Sequence, residues 1–88
     1  MALLRQKRFA EAIRTLNHKN PLQSWDHASL AIAYAYLGQS REARDEAALV
    51  VRMQPNFSIA GYAVTAPYKD PADLEEMIEG MRRAGLPE

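Results

Sequence analysis

Helix-breaking residues punctuate this chain at Pro21, Gly38, Pro55, and again at Gly85 and Pro87. Proline lacks a backbone N–H and clashes with the preceding turn, and glycine ends a helix at little cost. Between these stops the apolar residues recur at spacings of three and four, and strand signals are weak. The chain is therefore predicted to be all-α, with about five helices joined by short turns.

In the first segment, from about Phe9 to His18, Phe9, Ala12, Ile13 and Leu16 share one helical face. The second, Ser24 to Leu37, has Ser24 as a candidate N-cap and Asp26 placed to suit the helix dipole. Leu30, Ala31, Tyr34 and Leu37 form one stripe of it, while Trp25, Ile32 and Tyr36 lie on other faces. A helix apolar nearly all round needs cover on two sides. Gly38 ends it and Ser40 can cap the next, whose buried face is expected from Ala43, Ala47, Val50 and Val51, opposite Arg41, Arg44, Asp45 and Arg52. After Pro55, Asn56 can cap a short helix from Phe57 to Ala66, weakened by Gly61, Val64 and Thr65. The last helix carries the clearest signals: Asp70 as N-cap, Pro71 at the first position, Leu74, Met77, Ile78 and Met81 in register, and Gly85 as the stop. Glu79 and Arg83 stand one turn apart, at pairing distance on that helix.

Composition limits the stability such helices can reach. A globule of 88 residues buries only about 60 to 65% of its unfolded surface. Much of its apolar share of 48% is alanine, which adds little buried area but lets helix backbones approach closely. There is no cysteine, so neither a disulfide nor a thiolate metal site can add stability, and a cytoplasmic location is the expectation. No apolar run reaches the roughly 20 residues needed to span a bilayer, and no signal-peptide stretch follows Arg5, Lys7 and Arg8.

Eleven basic residues balance eleven acidic ones, which gives nucleic acid no general attraction. The distribution is uneven, with Arg5, Lys7, Arg8, Arg14 and Lys19 early and Asp70, Asp73, Glu75, Glu76, Glu79 and Glu88 late. Pairing of these ends between two copies would make a salt-sensitive homo-oligomer.

Helix-length segments joined by short turns call for a repeat search, and one emerges between His27 and Pro55. Leu30, Ala31, Tyr34, Gly38, Ala43, Ala47, Val50 and Pro55 are spaced as in the tetratricopeptide repeat, which this segment resembles. Two positions depart from the pattern: His27 stands where the family prefers tryptophan, and Ala47 where a larger residue is common. Upstream, FAEAIRTL resembles the second helix of a preceding repeat, with Ala12 in the place of Ala43; downstream, Ile59, Tyr62 and the helix from Leu74 to Met81 keep the hairpin layout.

The resemblance implies one domain over 1–88, arranged as antiparallel helical hairpins in a short solenoid. Residues 1–21 would be a partial first repeat, 24–55 the best-matched one and 56–88 a degenerate capping hairpin. With Ala12 matched to Ala43, the array would begin in mid-hairpin. The apolar Met1, Ala2, Leu3 and Leu4 would then lie on an unfinished face, as in a fragment of a longer array or a self-associating module.

In such arrays the first helices of successive hairpins line a groove, and the corresponding positions here are Trp25, Ala28, Ile32, Ala35 and Tyr36. They lack the lysines and asparagines with which some family members clasp a peptide carboxylate, so an apolar or helical protein segment is the expected partner. The alternative for Trp25 and Tyr36 is packing against neighbouring helices. Met53, Met77 and Met81 are expected as core fillers.

Nothing in the sequence suggests catalysis, a cofactor or a metal. His18 and His27 have no partner at metal-ligand spacing, Ser24, Ser29, Ser40 and Ser58 lack a nucleophile-elbow context, and Glu75, Glu76 and Glu79 read as a solvated face. The expected function is a protein-interaction or oligomerisation module without enzymatic activity. A second expectation comes from the ending YKDPADLEEMIEGMRRAGLPE, similar to tails that close such arrays in multidomain bacterial signalling proteins of nucleotide-cyclase or winged-helix regulator type.

Overall fold

The computed structural model describes residues 8–65 and 70–88. Met1 to Gln6, on which the expected unfinished face rests, and Ala66 lie outside these residues. Five helices are found among the described residues, and no strand: α1 (Phe9–Asn17), α2 (Ser24–Tyr36), α3 (Ser40–Met53), α4 (Ile59–Thr65) and α5 (Pro71–Ala84).

The helix ends follow the punctuation with small shifts. Gly38 turns the chain between α2 and α3 at a φ of 79°, a left-handed conformation open to glycine without a steric penalty. Asp70 caps α5 by accepting the Ala72 N–H at 2.9 Å, with Pro71 as the first helical residue. Gly85 ends α5 at a φ of 88°. The serine caps expected for α2 and α3 fall one residue earlier, on Gln23 and Gln39, so that Ser24 and Ser40 begin the helices. At α4 the cap is Ser58 and not Asn56: its hydroxyl accepts the Gly61 N–H at 3.0 Å, and the helix starts at Ile59.

The all-apolar α2 is the hub, packed against α1, α3 and α5. Leu30, Ala31, Ile32 and Ala33, a full helical turn, are each 1% exposed or less. Alanines allow this crowding: Ala12 of α1, Ala28, Ala31 and Ala33 of α2, and Ala43 and Ala47 of α3 belong to one core cluster with Val50, Met77 and Met81. Backbone approach is closest where α5 crosses α2, at Gly80. A Cβ there would lie 2.8 Å from the Tyr36 ring.

Two expectations about the apolar faces fail. Val51 is 38% exposed and Met53 48%; the buried flank of α3 carries Ala43, Ala47 and Val50, and the helix packs mainly against α2. Packing along α2 also differs from simple hairpin-on-hairpin stacking, since α5 contacts it more extensively than α4 does. The described chain measures 29 × 29 × 23 Å. No helix among the described residues is long and apolar enough to cross a membrane.

Candidate functional site

The five residues expected to line an open groove run along α2, but the structure divides them between two environments. Ile32 is fully buried, and Tyr36, one turn on, is partly buried against the core. Phe9 of α1 stacks on the Tyr36 ring, with centroids 4.9 Å apart. From α5, the Arg83 guanidinium lies over the ring at 5.2 Å and the Glu76 carbonyl accepts the Tyr36 hydroxyl. Burial, followed by the nearby Glu76 carboxylate, pushes the Tyr36 hydroxyl above its ordinary pKa. Ala35 is partly buried against the same core. At this half of the expected groove, α5 packs on Ile32 and Tyr36.

The other half remains open. Trp25, in the first turn of α2, and Ala28, one turn on, border a cleft of about 380 Å³ between α2, the end of α3 and α4. Ala28 forms its floor, with only 1% of its surface exposed. Trp25 and Tyr62 of α4 stack nearly parallel, 10° apart in plane and 5.2 Å between centroids. Phe57 and Val50 supply further apolar surface, and Ser24, Gln54, Asn56, Ser58 and Gly61 complete the lining.

Neither Phe57 nor Tyr62 is among the candidate groove residues of the sequence, although Tyr62 is one of the positions that keep the hairpin layout. Their signal was two aromatic residues in the segment after Pro55, where loss of the repeat pattern hid which way they would face.

Polar interactions around α2 hold the frame of this cleft. Asp26, one residue from Trp25, is 6% exposed and accepts the Gln23 N–H at 2.8 Å, while the Lys19 ammonium lies 2.9 Å from the same carboxylate. Burial acts to raise the Asp26 carboxyl, but the Gln23 N–H and Lys19 outweigh it, helped by His27, and it titrates below the ordinary aspartate value. His27 bridges α2 to α3, its Nδ1 donating to Glu46 Oε2 at 2.6 Å. No buried side-chain nitrogen or oxygen among the described residues lacks a hydrogen-bond partner.

The groups considered for chemistry are dispersed. His18 bonds to the Arg14 carbonyl at the end of α1, and His27 is engaged by Glu46. Among the described residues no three histidine, cysteine, aspartate or glutamate side chains gather as a metal ligand set. Glu75 and Glu79 are exposed on α5, and Glu79 lies 3.7 Å from Arg83 as the sequence predicts. No protein-family model, curated protein or solved structure matches this chain.

Proposed function

We propose that this chain is a protein-interaction module that seats an apolar side chain of a partner segment in the Trp25–Tyr62 cleft and performs no chemistry of its own. The single observation that carries this reading is the cleft: three aromatic side chains, Trp25, Phe57 and Tyr62, border a concavity rimmed by hydroxyl and amide groups. An apolar floor with a polar rim is the usual anatomy of a peptide-binding surface, and tryptophan and tyrosine most often supply its affinity. Among the described residues no lysine, arginine or carboxylate lines the cleft, which favours an apolar anchor over a charged one.

The tetratricopeptide-like reading of the architecture belongs with this proposal. It draws support from the α2–α3 hairpin, with Gly38 at its turn and Ala43 and Ala47 at the helix contact. In this scheme the groove has shrunk to the end of α2 bearing Trp25 and Ala28, with α5 acting as a cap over Ile32, Ala35 and Tyr36.

The test is a screen of displayed helical peptides, each with a single apolar anchor, against the intact chain and a Tyr62→Ala variant whose helicity is checked by circular dichroism. Ligands that bind the first and lose at least about tenfold in affinity, or 1.4 kcal/mol, on the second are expected. Ligands indifferent to Tyr62→Ala would contradict the proposal.

A further inference from the structure

The element that completes the cleft is also the shortest helix among the described residues. Helix α4 has seven residues, where an isolated helix needs about 12 to 15 to be even marginally stable. Gly61, Val64 and Thr65 lower its propensity further, and Val64 is 85% exposed, so one side of α4 gains nothing from burial. Its position must come from elsewhere.

Two backbone ties lie at its start. The N–H groups of Ile59 and Ala60, which a helix leaves without internal partners, donate to the carbonyls of Pro87 and Glu88, each at 2.8 Å. These carbonyls reach α4 because Gly85 reverses the chain after α5 and Leu86 is then buried, 4% exposed, with its N–H returned to the Met81 carbonyl at 3.1 Å. Ile59, 2% exposed, is buried in the same core cluster as Leu86. From this anchor α4 runs on to Tyr62, whose ring stacks on Trp25 in the lining of the cleft.

We infer that the segment 85–88 is a strap that fixes α4, and through Tyr62 sets the width of the cleft. Its release lets α4 swing away from α2, lifts Tyr62 off Trp25 and opens the site. The consequence for binding rests on the function proposed above; the strap itself does not. A partner that engages the segment 85–88 would thereby change the affinity of the cleft, because both draw on the position of α4.

Trp25 is the only tryptophan in the sequence, so its emission reports on α4 without a label. The experiment compares the full chain, a form lacking residues 86–88, and Leu86→Ala, with no peptide present. Both altered forms are expected to show red-shifted, more readily quenched Trp25 emission. Their Tyr62 and Ala63 amides should exchange about tenfold faster or more, on the scale of one or two net hydrogen bonds, while far-UV helicity outside α4 persists. Unchanged emission and exchange in a folded Leu86→Ala variant overturn the inference. So does loss of helicity throughout the chain in both altered forms, which would make the segment part of the core. Because no ligand is used, a failed strap leaves the cleft proposal standing, and failure of the full chain to bind peptides leaves the strap standing.

Discussion

Gly80 of α5 faces Ile32 of α2 so closely that a Cβ at position 80 would stand 2.7 Å from Ile32 Cγ2. The neighbour cannot yield easily: Ile32 is β-branched, fully buried and stiff at χ1. Replacing glycine by alanine inside a helix ordinarily stabilises it by about 0.5 to 1 kcal/mol. Here overpacking should cost about 1 to 3 kcal/mol and reverse that sign. Gly80→Ala is therefore expected to lower the urea midpoint, with the m-value unchanged.

Tyr36 should make the fold sensitive to alkali. Its hydroxyl pKa is raised in the folded state, by burial first and the Glu76 carboxylate second, so above about pH 10 the unfolded chain loses this proton before the folded one does. The contribution is complete below that pH and is lost as pH rises through the folded value. Tyr36→Phe should cost about 0.5 to 1.5 kcal/mol at neutral pH through the lost bond to the Glu76 carbonyl. Chemical denaturation across about pH 8 to 12, two units either side of onset, should show the two proteins converging as the pH climbs.

Asp26 acts at the other end of the scale. Its folded pKa is lowered, so its stabilisation is fully present above about pH 4 and is lost as pH falls through the lower folded value. Asp26→Ala should cost about 1 kcal/mol at neutral pH, typical of a lost helix-start acceptor, and flatten the acid limb of the stability curve. Lys19→Ala should cost less, under about 1 kcal/mol, because the Lys19 side chain is 52% exposed.

The His27–Glu46 bond ties the two helices of the central hairpin, with side chains 14% and 20% exposed. A double-mutant cycle through His27→Ala and Glu46→Ala should give a coupling of about 1 kcal/mol, and no coupling would mean that the two groups contribute separately.

The fold was legible where one local signal was sufficient. Asp70, Pro71 and Gly85 delimited α5 because cap, first-turn and stop chemistry all act within a few residues, and the breadth of apolar surface on α2 announced a helix covered on several sides. Cap positions at Ser24 and Ser40 slipped by one residue, since Gln23 and Gln39 leave the helical conformation first. What a helix face cannot reveal is its cover. Ile32 and Trp25 both stood off the main stripe of α2, yet Gly80, 48 positions after Ile32 in sequence, lets α5 seal one while the other borders a cleft. Val51 and Met53 were misplaced for the same reason. Their apolar character fits the buried side of α3, but Val51 only borders an open depression with Ala84 and Gly85, and Met53 stays half exposed.

Docking of a partner segment in the Trp25–Tyr62 cleft can be followed residue by residue. The most direct measurement is a nuclear magnetic resonance titration of the intact chain with a peptide selected for binding, following backbone amides and the Trp25 indole Nε1–H together. Shifts concentrated at Trp25, Asn56, Phe57 and Tyr62, with Leu37 and the exposed face of α3 around Arg44 unmoved, are the predicted result. Shifts centred on Leu37, Val51 or Met53 with the indole signal unaffected would contradict it.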